Sequence, residues 1–329
     1  MNDKLGWGVI GTGRIAGLQV RDLQAAERRV VAVGSRQQAS AEVFAERFEI
    51  PNRHGSYESL VADPEVDIVY VATPHTFHAA NAQIAIEAGK HLLIEKAFTI
   101  TAEQAKGLAG AARRKGVFVM EAMWTRFLPS MTRVMELLHK GAIGTPRVLL
   151  ADHNQYIPRS RALRVHDPAL GGGALLDLGV YPVSFASSIF GQPKAVTARG
   201  TLTKDGVDEL TAVILEYDSG AQASLHCGFL AAGPNTATVI GSEGRIEIES
   251  VWYNQTGFTL YNQAGVVVER YSHEIEGRGM QFQALEVERC INERISESSI
   301  MPLSESIEIM ETMDEVRRQV GVVYPSQDP

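Results

Sequence analysis

Leu5-Gly6-Trp7-Gly8-Val9-Ile10-Gly11-Thr12-Gly13-Arg14-Ile15-Ala16 decides the fold. A short apolar run enters a glycine turn and then a helical segment from Arg14, the order that a dinucleotide-binding βα unit requires. Gly11 permits the tight turn, Gly13 lets the main chain approach a pyrophosphate, and Ala16, small like the usual third glycine, lets the helix pack on its strand. The anion would rest on the N–H groups of Thr12 to Ile15 at the helix start. Gly6-Trp7-Gly8-Val9-Ile10-Gly11 satisfies the same glycine pattern, but no helix follows its last glycine. A second strand, Arg29-Val30-Val31-Ala32-Val33-Gly34-Ser35-Arg36, follows about 20 residues after the turn, where the ribose is read.

Outward from this unit, the apolar runs Ile68-Val69-Tyr70-Val71-Ala72, Leu92-Leu93-Ile94 and Val117-Phe118-Val119-Met120 alternate with helical stretches. That alternation predicts an α/β Rossmann domain with a doubly wound parallel sheet over residues 1–122. The pattern then changes to a helix, one long strand, a polar loop, a helix after Gly171-Gly172-Gly173, and a series of strands joined by turns. Two-residue alternation such as Arg245-Ile246-Glu247-Ile248-Glu249 predicts an α+β domain over 123–329 with a large, mostly antiparallel open sheet. One sheet face would be covered by helix and the other left as a homodimer surface. The last helix has the option of packing back on the first domain.

With 329 residues and a formal charge of −8, the chain is long enough for two domains sharing a site, and its charge argues against nucleic acid or an anionic membrane as partner. Cys227 and Cys290 lack metal or disulfide spacing. The start of the chain resembles no leader, and no run of 18 apolar residues occurs, so a cytoplasmic protein is expected.

Several residues carry chemistry. Where NAD-binding strands end on a carboxylate, this chain has Ser35-Arg36, which suits the 2′-phosphate of NADP(H), with NAD(H) as the lesser alternative. Glu95-Lys96 ends a strand at the carboxyl edge, where ligands of such sheets lie. In Asp177-Leu178-Gly179-Val180-Tyr181-Pro182, a helix would put Asp177 and Tyr181 on one face, although Pro182 removes an N–H there. A packing tyrosine and a helix-start aspartate account for this spacing better when it is taken alone. His75 and His78 precede no third ligand, so no metal is expected.

The glycine turn with Arg14-Ile15-Ala16, Ala72-Thr73-Pro74 followed by His78, Glu95-Lys96 and the segment from Gly171 to Tyr181 together resemble the glucose–fructose oxidoreductase/inositol dehydrogenase (Gfo/Idh/MocA) family. Ser35-Arg36, Glu121-Ala122-Met123-Trp124-Thr125-Arg126-Phe127 and the Asp177 to Pro182 segment look most like its dimeric dihydrodiol dehydrogenase and NADP-dependent D-xylose dehydrogenase branch. The resemblance implies a dehydrogenase or reductase acting on a CH–OH carbon of a sugar or vicinal diol. Lys96 would be its active-site lysine, Tyr181 its acid/base and Asp177 their neighbour. It implies that Thr73, Pro74, His78 and Glu95 flank the cofactor. Trp124, Arg126 and Phe127 would be pocket wall, and Arg164 and His166 would reach the substrate. The lysine and the phenol must then converge at the nicotinamide. The family's proline after the lysine is Ala97 here, which leaves the shape of that loop open. Two other readings are a non-catalytic NADP-binding sensor and an oxidoreductase of sugar nucleotides.

Overall fold

The computed structural model describes residues 4–325, so the outermost ends of both expected domains lie outside the described residues. The chain divides into two compact units. The first comprises the chain up to Thr99, Glu103–Trp124 and Ile275–Ile307; the second comprises Ile100–Ala102, Thr125–Glu274 and the chain from Glu308 onward.

In the first unit, strands β1 (Gly6–Ile10), β2 (Arg29–Gly34), β3 (Asn52–His54), β4 (Ile68–Val71), β5 (His91–Glu95) and β6 (Val119–Ala122) form one sheet in the order β3-β2-β1-β4-β5-β6. Every pairing is parallel. This is the doubly wound order whose reversal lies between β1 and β4, the crevice where such sheets take dinucleotides. Helices α1 (Arg14–Ala25), α2 (Gln38–Phe48), α3 (Tyr57–Val61), α4 (His78–Glu87) and α5 (Ala102–Lys115) connect the strands. Strand β1 and the run 68–71 are buried throughout, as continuous apolar runs covered on both faces must be. The three-residue β3 has no apolar alternation to announce it.

The segment that returns to this unit holds α8 (Gln281–Asn292) and the start of the last helix, whose Ser306 hydroxyl donates to Glu121 at 2.9 Å. Polar bonds hold α8 there. Trp7 is fully buried, and its indole Nε1–H needs an acceptor, which Glu288 Oε1 supplies at 2.8 Å. Glu288 Oε2 pairs with Arg28 at 3.1 Å, and the Asp22 carboxylate accepts from the N–H groups of Arg278 and Met280.

The second unit contains α6 (Pro129–His139), α7 (Val180–Phe190) and most of α9 (Leu303–Val320). Its strands are β7 (Pro146–Asn154), β8 (Ala195–Leu202), β9 (Asp208–Glu216), β10 (Gln222–Gly228), β11 (Ala237–Gly241), β12 (Gly244–Ile248), β13 (Phe258–Asn262) and β14 (Val267–Tyr271). They form one open sheet, β14-β13-β12-β11-β7-β10-β9-β8, antiparallel except for the parallel pair β7/β10. Leu149, Ala151, Val213, Leu215, Ala223 and Leu225 are buried on one face, while Leu150 and Ile214 on the other are 46% and 44% exposed. Period-two alternation therefore sets which face α7 covers. Pro168–Phe190 is a helical stretch long and apolar enough to cross a membrane by length and composition, but its most apolar part is mostly buried within the protein. The stretch is a core element here, and Asp177 and Pro182 interrupt its apolar run.

Candidate functional site

The glycine turn is shaped for an anion. Gly11 has φ +106°, and a Cβ there would stand 2.7 Å from the Ala72 carbonyl oxygen, so only glycine fits between β1 and the end of β4. Gly13 faces open space, with nothing within 4 Å of a Cβ. No side chain caps α1, and no acidic residue lies in its first turn. Its first N–H groups and the positive end of its dipole thus meet open space, which fits a pyrophosphate.

At the end of β2, Ser35 accepts from the Gln37 N–H (3.3 Å), and the exposed Arg36 lies over the Phe77 ring at 5.4 Å. Burial raises the Tyr57 pKa, and the Arg36 guanidinium opposes that shift by a hydrogen bond and by charge. Two aromatic side chains therefore restrain a cation at the strand end.

The loops after β4 and β5 are pinned together. Fully buried His78 has Nδ1 2.9 Å from the Ala97 carbonyl and Nε2 2.9 Å from that of Thr73, and Asn81 donates to the Thr73 hydroxyl. Expected as a cofactor neighbour, His78 spends both ring nitrogens on backbone carbonyls. Pro74 precedes the short turn His75–Phe77 that leads into α4. Glu95 is buried and accepts from the buried Tyr70 hydroxyl at 2.5 Å, so this carboxylate is anchored within the sheet. Lys96 follows, half-buried, and its peptide bond to Ala97 is cis. Trp124, also buried, has Arg278 over its ring at 5.2 Å.

In the second unit, Asp177 and Tyr181 are each 8% exposed. The segment that carries them is not a plain α-helix: Leu175–Gly179 forms a π-turn that runs into α7. The reason is Pro182, whose missing N–H and bulky ring disrupt α-helical bonding to the carbonyl four residues earlier. Arg164 Nη2 bonds Asp177 Oδ1 at 3.0 Å. Expected separately beside the substrate, these two side chains form an ion pair with the guanidinium half-buried. His166 donates through Nε2 to the Ile157 carbonyl (3.0 Å) and packs edge-on against Phe229. Arg126 is buried and bonds Ser184 of α7 twice, through Nε to Oγ (2.8 Å) and through Nη2 to the carbonyl (2.6 Å), so it ties down the helix that carries Tyr181. Phe127 is buried in the same turn.

Sequence reasoning missed the rings around Tyr181. His153 on β7 lies edge-on to Tyr181 at 5.0 Å and stacks on Tyr253 at 3.6 Å, and the two tyrosine rings are 5.4 Å apart. These residues are 28 and 72 positions from Tyr181, and tertiary folding brings them together, His153 from β7 and Tyr253 from the turn between Ile248 and Phe258. Among the described residues, no group of three His, Cys, Asp or Glu side chains is placed to hold a metal ion.

Known proteins share both halves of this arrangement. Residues 5–123 match the oxidoreductase family with an NAD-binding Rossmann fold, and residues 131–247 match the GFO/IDH/MocA C-terminal domain. The trans-1,2-dihydrobenzene-1,2-diol dehydrogenase of Xenopus laevis is 37% identical over 97% of this chain and 99% of its own length. That of Mus musculus is 36% identical over 98% of each chain. A 3-ketoreductase from Actinomadura kijaniata, solved with NADP and TDP-benzene, superimposes with a TM-score of 0.86 at 27% identity, covering 98% of this chain and 100% of its own.

Proposed function

The chain belongs to the GFO/IDH/MocA family of NAD-binding oxidoreductases, in its dihydrodiol dehydrogenase branch, and from that premise we propose an NADP(H)-dependent enzyme that interconverts a CH–OH carbon and a carbonyl in a vicinal diol or sugar. The observation that carries the reading is the pairing of a pyrophosphate-shaped glycine turn with a buried tyrosine in a ring cluster. A protein that only senses a nucleotide has no use for the second of these.

When bound, the nicotinamide supplies or accepts the hydride. Tyr181 takes the hydroxyl proton in oxidation and returns it in reduction. A tyrosine with an ordinary pKa of ~10 is a poor base near neutrality, so this role needs a cation to favour the phenolate, and we assign that part to Lys96. Asp177 orients Arg164, whose other N–H groups hold the substrate's hydroxyls. Ser35 and Arg36 select the 2′-phosphate, while the Thr12 to Ile15 turn takes the pyrophosphate. Trp124 and Phe127 are wall, and Arg126 acts as a brace for α7. Cytoplasmic placement suits the two buried thiols Cys227 and Cys290. The apolar residues on the open sheet face support a homodimer, for which sedimentation should return twice the chain mass at micromolar concentration.

The deciding experiment follows NADPH absorbance while trans-1,2-dihydrobenzene-1,2-diol, pentoses, hexoses, cyclic diketones and a TDP-sugar are screened in both directions. Turnover of a diol or free sugar is expected; turnover of the TDP-sugar alone would favour a sugar-nucleotide enzyme, and none at all a sensor. In the same assay Arg36→Ala should weaken NADPH roughly 10–100-fold, the 1.5–3 kcal/mol of a charge-assisted bond, and change NADH less than about threefold. Equal weakening of both cofactors would remove Arg36 from the 2′-phosphate.

A further inference from the structure

Pro182 has no N–H, so the carbonyl four residues before it, that of Leu178, lacks the donor an α-helix would bring. Leu178 is 4% exposed, and Gly179 lies so close to β10 that a Cβ there would stand 2.8 Å from Cys227 Sγ. The Leu178 oxygen takes one backbone N–H where the π-turn runs into α7, and its second lone pair is left without the α-helical donor. His153 fills that place, with Nδ1 3.1 Å from the Leu178 oxygen. Because a carbonyl only accepts, Nδ1 carries the proton. The other nitrogen, Nε2, lies 2.9 Å from the Gln155 amide Nε2, which also donates to the Tyr253 hydroxyl at 3.3 Å. In a neutral ring protonated on Nδ1, Nε2 accepts from that amide, so these bonds agree on one tautomer.

We infer that His153 is a positioning residue for Tyr181. Its Nδ1–H replaces the helix bond that Pro182 removes, Gln155 holds it in the tautomer that can do so, and its ring edge sets the Tyr181 ring. The inference rests on Tyr181 being the acid/base, three residues beyond the tethered carbonyl. It gives Pro182 a purpose: the proline removes the α-helical donor at a carbonyl that His153 of β7 reaches.

Three measurements test this. In histidine-¹⁵N-labelled protein, with the His153 signal assigned by its loss in His153→Phe, two-bond ¹H–¹⁵N spectra should show the Nδ1–H form; an Nε2–H tautomer overturns the inference. Hydrogen exchange in the 175–185 segment should speed up about tenfold or more in His153→Phe, which keeps a stacking ring but has no donor. It should recover in His153→Asn, whose amide can donate; unchanged exchange in the Phe variant also overturns the inference. With the substrate found in the screen above, His153→Phe should lower kcat about tenfold, with KM and NADPH affinity within about threefold, and His153→Asn should regain part of the loss. If His153→Phe does not fold, Gln155→Leu, which keeps the ring and frees its tautomer, should move exchange and kcat the same way by a smaller factor. A Tyr181→Phe control separates the two readings. Turnover surviving in that control sinks the acid/base role, whereas turnover lost there but kept in His153→Phe sinks the positioning role alone.

Discussion

Tyr181→Phe should lower kcat by about 10²–10⁴-fold, the usual contribution of a positioned proton-transfer group, while NADPH binding stays within about twofold. The substitution removes one oxygen and keeps the ring. The packing on His153 and Tyr253 is therefore retained, and so is the fold around a residue that is only 8% exposed. Under the roles proposed above, Lys96→Met should act differently: activity would persist at alkaline pH and fall steeply towards neutrality, as expected of a phenol with no cation to favour its ionised form. Steady-state kinetics across pH 6–10, with a fluorescence titration of NADPH for each variant, give both answers. Turnover of Tyr181→Phe within tenfold of the parent would take the proton from Tyr181 and give it to another group.

The largest effect on stability is expected at Asp208, at the start of β9. This carboxyl is buried, its Oδ2 accepts from the Leu175 N–H (2.8 Å) and the Thr211 hydroxyl (3.0 Å), and its Oδ1 has no hydrogen-bond partner. It holds the first turn of the segment that carries Asp177 and Tyr181. Gly173, at φ +112°, is required beside it, since a Cβ there would stand 2.3 Å from Oδ1. Burial pushes its pKa from 3.8 up to about 6, against the pull of the Leu175 and Thr211 bonds.

The sign follows from which state holds the proton. Below about pH 4 the group is protonated in both folded and unfolded chains. Between pH 4 and 6 the unfolded chain releases its proton first, so the folded protein loses stability, up to about 3 kcal/mol for a rise of this size. Asp208→Ala should therefore cost about 2–4 kcal/mol near pH 4, where two buried bonds are lost and nothing is regained. Above pH 7 it should cost markedly less, because the carboxylate penalty disappears with the group. Asp208→Asn, neutral throughout and still offering an oxygen to Leu175, should gain on the parent as pH rises from 4 to 7.5. Urea unfolding at the two pH values measures this, and a pH-independent difference would mean that Asp208 is not titrating in that window.

Much of the fold was legible because its signals are local. The strand-turn-helix unit from Leu5, the continuous apolar runs of a two-sided sheet and the alternation of a one-sided sheet each depend on neighbours a few residues apart. Three-residue β3 was too short to show a period. The return of α8 was hidden because the preference rests on the Trp7 indole and the Asp22 carboxylate, more than 250 residues away in sequence. At the site, Pro182 was the available clue: a proline four residues after Leu178 marks a carbonyl without its α-helical donor, but the side chain that takes that place cannot be named from the string.

Sequence alone determined that a nucleotide-shaped turn opens this chain, that a parallel sheet precedes an open one, and which residue types could move a proton. Tertiary structure alone decided that Arg164 is held by Asp177, that Glu95 is anchored by Tyr70, and that His153 and Tyr253 pack on Tyr181 with Gln155 bonded to both. The physical reason is the range of the forces concerned. Backbone conformation and binary patterning act over one or two turns of chain, whereas a buried polar group takes its partner from whatever strand the sheet register sets beside it.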